Sequence, residues 1–105
     1  MFKIKSYLGL CIKSGAVVIG QDKLKATKKY PKLLVLSPNA TQNLKDLTIR
    51  LMDKFHCDCI ITNQNLEELI SIPNCKLLGV TNPNLATAIV SCDNEYSNLR
   101  SSNDK

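Results

Sequence analysis

The chain has 105 residues, 44% of them apolar, with 14 lysines and arginines against 9 acids and a net charge of +5. That length suits one domain burying roughly two thirds of its unfolded surface, which excludes a disordered chain, and the charge favours a polyanionic partner. Five scattered cysteines (Cys11, Cys57, Cys59, Cys75, Cys92) point to reduced thiols in a cytoplasmic protein and away from a disulfide framework. The apolar run behind Lys3 and Lys5 is too short, and Lys13 follows too soon, for an export signal or a membrane partner.

Ile4, Leu8, Cys11 and Ile12 fall at helical spacing and predict a first helix over residues 2–14, ended by Gly15. Residues 16–19 form a short β-branched strand. After Gly20 a second helix is expected over 21–29, anchored by Leu24 and Ala26, with Lys25, Lys28 and Lys29 on one face. Tyr30 and Pro31 stop it, and residues 33–36 form an uninterrupted apolar run suited to a central strand covered on both sides. Asn39 then reads as a helix N-cap with Gln42 reaching back to it, ahead of a long helix over 41–55 whose stripe is Leu44, Leu47, Leu51, Met52 and Phe55.

A third strand follows over 59–62. A brief helix starting at Asn63 or Asn65 carries Leu66, Leu69 and Ile70 and must end before Pro73. Residues 77–81 make a fourth strand. Asn82 and Pro83 read as N-cap and first residue of a last helix with Leu85, Ile89 and Val90 as its buried side. The domain is expected to span 1–91, and the polar, unpatterned stretch 92–105 to be a disordered tail. Alternating strands and helices imply an α/β protein, an α/β/α sandwich around a small sheet whose strand order the sequence does not give.

Strand, glycine and lysine-rich helix around Gly20 aim backbone amides and cations at a phosphate backbone. Read plainly, Gly20 is a turn glycine, Asp22 a first-turn acid and the lysines a solvated face. His56, Cys57 and Cys59 have metal-ligand chemistry but no second pair near them, so buried thiols are the simpler reading and no metal or other cofactor is expected. One histidine beside a strand supports no nucleophilic triad, and no enzyme is expected.

Three stretches together, Lys13-Ser-Gly-Ala-Val-Val-Ile-Gly20 with Leu8-Gly-Leu10 before it, Leu36-Ser-Pro-Asn-Ala-Thr-Gln-Asn43, and Gly79-Val-Thr-Asn-Pro-Asn-Leu-Ala86, are similar to the successive signatures of the kink-turn RNA-binding ribosomal protein superfamily. This is the L-seven-Ae and L-thirty-e group, and the sequence resembles its small bacterial YlxQ-like members. The resemblance implies a three-layer α/β/α sandwich with a four-stranded mixed sheet, no catalysis, and a monomer that binds ribosomal or other structured RNA, at the ribosome or elsewhere. An alternative it allows is an RNA-recognition subunit or adaptor serving a separate ribose methyltransferase.

Carried over residue by residue, the resemblance places RNA against Gly20, Gln21, Asp22 and Lys23, against Asn39, and against Ile70, Ser71 and Ile72, with Lys25 and Lys28 as further cationic contacts. Where the family has an Asn-Glu or Lys-Gln pair, this chain has Asp22 and Lys23. A carboxylate there accepts from guanine N1 and N2, whereas a lysine donates to O6, N7 or a phosphate.

Overall fold

The two apolar runs without polar interruption become the middle of the molecule. In the computed structural model, which describes residues 3–92 and 94–99, β2 (Leu33–Leu36) and β4 (Leu77–Val80) are buried along their whole length. They pair antiparallel, Leu33 opposite Val80 and Leu36 opposite Leu77. β1 (Val17–Ile19) runs antiparallel on the far side of β4, β3 (Asp58–Thr62) runs parallel to β2, and β5 (Tyr96–Asn98) runs antiparallel to β3. The result is one mixed sheet of order β1-β4-β2-β3-β5.

Side chains alternate along a strand, so each strand supplies both faces. Leu33, Val35, Ile60, Leu78 and Val80 belong to one core, and Leu34, Leu36, Cys59 and Leu77 to the other. Onto the first core α1 (Lys3–Ser14), α4 (Leu66–Ile70) and α5 (Pro83–Val90) bring Ile4, Leu8, Cys11, Leu66, Leu69, Ala86 and Ile89. Onto the second, α2 (Gln21–Ala26) and α3 (Gln42–Phe55) bring Leu24, Leu51, Met52 and Phe55. Full burial of a leucine or isoleucine contributes about 1.5–3 kcal/mol, which is why β2 and β4 carry no polar side chain. No helix among the described residues is long and apolar enough to cross a membrane.

Four expectations are corrected. The sheet has five strands instead of four, because Tyr96, Ser97 and Asn98, placed in the disordered tail, pair with Thr62, Ile61 and Ile60. A backbone ladder needs no apolar run, and the open side of β3 supplies the partner; residues 93 and 100–105 of that stretch lie outside the described residues. The second helix stops at Ala26. Thr27 turns extended, and its hydroxyl accepts from Lys29 N–H and donates to Lys29 C=O, so Lys28 and Lys29 never reach a helical face.

The N-cap of the long helix is Thr41, whose Oγ1 accepts from Leu44 N–H at 3.2 Å, and Gln42 donates instead to Asp46. In α5 it is Ala86 and Ile89 that are buried, while Val90 is 46% exposed on the last helical residue, beside an open groove at the start of β2. The cap there is as expected, with Asn82 Oδ1 accepting from the N–H groups of Asn84 and Leu85.

Candidate nucleic-acid interface

Strand direction decides what meets at each end of the sheet. β1 and β2 both run against β4, so the exits of β1 and β2 and the entrance of β4 share one edge, and the exit of β3 joins them. Gly20, the turn holding Asn39, the start of α4 and the loop from Ser71 to Lys76 therefore converge there.

Gly20 has φ 94° and ψ 151°, a region that only glycine occupies readily. Its N–H donates to Leu77 C=O at 3.0 Å and its C=O accepts from Leu24 N–H at 3.1 Å, joining the end of β1 to β4 and to the first turn of α2. A Cβ at Gly20 would meet nothing within 4 Å, so the glycine answers a conformational need and leaves open space outside it. A hollow of about 130 Å³ lies beside it, lined by Gly20, Gln21, Leu44, Asn74, Lys76 and Leu77. Gln21, Asp22 and Lys23 are exposed on the first turn of α2.

A hydrogen-bonded chain locks the other loops to this hollow. The buried Ser37 hydroxyl donates to Asn39 Oδ1 at 2.5 Å and accepts from Leu66 N–H at 3.1 Å, while Ser37 N–H donates to Lys76 C=O at 2.8 Å. The Asn39 side chain continues to the Glu67 carboxylate. Glu67 also accepts from Asn74 N–H at 2.6 Å and from Lys76 Nζ at 3.2 Å. The Asn74 amide, followed by the Lys76 ammonium, holds the Glu67 carboxyl below its ordinary value of 4.5, because every partner favours the charged form. Asn39 thus occupies the expected edge in a different role, as a link between the β2–α3 turn and α4.

Ile70, Ser71 and Ile72 reach the same loop cluster with unequal freedom. Ile70 and Ile72 are half-buried against the first core. Ser71 is exposed in a left-handed conformation, φ 60° and ψ 31°, closing α4 by donating its N–H to Glu67 C=O at 2.9 Å. Asn74 is left-handed too, with φ 62°. Two non-glycine residues with positive φ in one short loop mark backbone held by its surroundings.

The lysines do not all converge on this edge. Lys23 is on the first turn of α2, but the Lys25 C=O accepts from Lys54 Nζ near the end of α3, and Lys28 lies beyond the end of α2, on the path to β2, whose entrance is at the opposite edge. Lys13, in the last turn of α1, also lies at the opposite edge, where Ala16 C=O accepts from Thr81 N–H. Residues that sequence reasoning missed take part instead: Ser37, Glu67, Asn74 and Lys76. One signal was present, an acid and a lysine on either side of the Pro73-Asn74 turn.

Cys11, Cys57, Cys59 and Cys75 are free thiols. Burial pushes the Cys11 and Cys57 thiols up to about 11 and raises Cys59 and Cys75 as well, so at neutral pH none of these four is the thiolate that nucleophilic chemistry needs. Cys57 and Cys59 face the core beneath α3. Among the described residues no group of three or more His, Cys, Asp or Glu side chains is placed to hold a metal ion.

No family model matches this chain, and no curated protein does either. Among solved structures, a protein of unknown function from Bacillus halodurans C matches it with a TM-score of 0.78 at 18% sequence identity, over 90% of this chain and 100% of that one. At that identity the match shows a shared fold.

Proposed function

We propose that this chain is a non-catalytic RNA-binding module that receives structured, kink-turn-like RNA on the edge carrying Gly20, Gln21, Asp22, Lys23, Asn39 and Ser71, as a cytoplasmic, monomeric, ribosome-associated protein. The observation that carries the reading is convergence: three segments named from the resemblance, some fifty residues apart at their extremes, lie at one edge, those of Asn39 and Ser71 linked through Ser37 and Glu67 and that of Gly20 joined to Leu77 at the start of β4. A bent RNA backbone needs several short loops at fixed separation, and that network fixes them. On the same reading α1, α4 and α5 form one outer layer of a three-layer α/β/α sandwich and α2 and α3 the other, with β5 added beyond the four strands of the family. Lys23 and Lys76 supply phosphate contacts beside the hollow, and Asp22 reads a guanine edge.

The test is a titration of the full chain with a kink-turn RNA and with an unbent duplex of equal length, at two salt concentrations. Tighter binding of the kink-turn is expected, with Lys23→Ala weakening all RNAs and lowering the salt slope by about one unit. Asp22→Asn is expected to change the preference between RNAs. Equal affinity for bent and unbent RNA overturns the proposal.

A further inference from the structure

Several lysines that sequence spacing placed on one helical face gather around a different feature. From Thr27 the chain carries Lys28, Lys29, Tyr30, Pro31 and Lys32 to the entrance of β2, where Lys32 N–H donates to Val80 C=O at 2.7 Å. Tyr30 is 48% exposed, whereas Phe55 behind it is 5% exposed. The two rings lie 4.9 Å apart at 56°, and the buried Pro31 pins the next residue. Lys54 stands 5.5 Å over the centroid of the same Phe55 ring and donates from Nζ to Lys25 C=O at 3.0 Å.

Lys25, Lys28, Lys29, Lys32 and Lys54 are all exposed, and chain path and contacts group them about one half-exposed ring supported from behind. The neighbouring acids are Asp53 and Asp58, which share a polar hollow with Lys32, His56 and Cys57. Cations outnumber them. A tyrosine serving only as core would be covered as Phe55 is; this one keeps about half its surface in water among like charges.

The geometry points to a second nucleic-acid contact: Tyr30 is a stacking platform for an unpaired base of single-stranded RNA, with Lys28, Lys29 and Lys32 meeting the phosphates on either side. Every base has a π-face, so a ring on a basic surface favours single strands with little sequence preference, and a duplex, whose bases are stacked on one another, cannot use it. Lysine, a point charge on a flexible stem, suits an unstructured backbone. This site lies at the opposite edge of the sheet from Gly20 and stands or falls independently of the reading given to that edge.

Binding of fluorescein-labelled decauridine to the full chain tests it, with a blunt RNA duplex of equal length as comparison. The single strand is expected to bind more tightly than the duplex and to quench part of the tyrosine emission, which is observable because the chain has three tyrosines and no tryptophan. Tyr30→Ala is expected to weaken decauridine binding by about five- to fiftyfold. Tyr30→Phe is expected to keep the affinity within about twofold, since the π-face remains, and to lose the quench.

The double variant Lys28→Ala, Lys29→Ala is expected to lower the salt slope by about 1.4 for the single strand. Should Tyr30→Ala fail to fold, Tyr30→Phe decides: an undiminished quench overturns the proposal. Wild-type affinity in a folded Tyr30→Ala overturns it, as does equal affinity for the duplex. Binding to anionic lipid vesicles that depends on Tyr30, without binding to decauridine, overturns it in favour of a membrane surface.

Discussion

Gly79 stands at the centre of β4 on the face covered by α2, and Gly79→Ala tests how tightly that face is closed. A Cβ there would lie 2.7 Å from Pro31 Cγ and 2.9 Å from both Pro31 Cβ and Leu24 Cδ2. Carbon atoms rest about 3.5–4.0 Å apart, so each neighbour would have to give by most of an ångström. Leu24 is fully buried and has little room to rotate, and Pro31 is a rigid ring whose displacement moves the backbone of the Tyr30 loop. The Lys32 N–H to Val80 C=O bond is one residue from both strained positions.

Overpacking of this kind costs about 1–3 kcal/mol, and the better strand behaviour of alanine returns about 0.5–1 kcal/mol. The net expectation is a loss of about 0–2.5 kcal/mol, against a total stability of about 5–15 kcal/mol for a domain of this size. Urea unfolding followed by circular dichroism, with the slope unchanged, reads it directly. The thermal midpoint is expected to fall by about 4–8 °C for each kcal/mol. A midpoint raised above that of the parent chain, the gain alanine gives a strand with no packing cost, would refute the claim that α2 and Pro31 close onto Gly79 without slack.

Two further outcomes follow from the contacts described. Thr41→Ala is expected to destabilise by about 1 kcal/mol in urea titration while Thr41→Ser is tolerated; a neutral Thr41→Ala would return the cap to another residue. Glu67→Gln removes the charge that Asn74 and Lys76 favour. Because the folded-state value of Glu67 is lowered, its contribution is present at neutral pH and is lost as pH falls through that value. The stability gap between parent and Glu67→Gln, measured across a pH series, is therefore expected to close in acid, and a gap that persists there would rule out the carboxylate as its source.

Much of the fold was legible because its core obeys simple periods. The run Leu33–Leu36 reads as a doubly covered strand from composition alone, and Leu51, Met52 and Phe55 mark the buried side of α3. Failures came where two neighbouring residues offered the same chemistry. Asn39 and Thr41 both suit an N-cap, and only the extended backbone at Thr41, with φ −71° and ψ 163°, selects between them. Lys28 and Lys29 have good helical spacing, but a threonine that bonds its own backbone ended the helix first. Tyr96–Asn98 became a strand through an open ladder next door, which no local pattern encodes. At the interface, positions were more readable than roles, since the links among Ser37, Asn39, Glu67 and Lys76 depend on loops meeting across the sheet.

The placement of α1 also governs the order in which the chain can assemble. Its apolar side, Ile4, Leu8 and Cys11, rests against α4 and α5, and Ile4 N–H donates to Glu95 Oε1 at 3.1 Å across 91 residues of sequence. During synthesis α1 therefore emerges long before α4 and α5, the helices that cover it, and its oily stripe must wait, soluble or chaperoned, until α5 has left the ribosome. The central β2–β3–β4 sheet, whose contacts are closer in sequence, can form in the meantime, so docking of α1 is the long-range step that completes the fold.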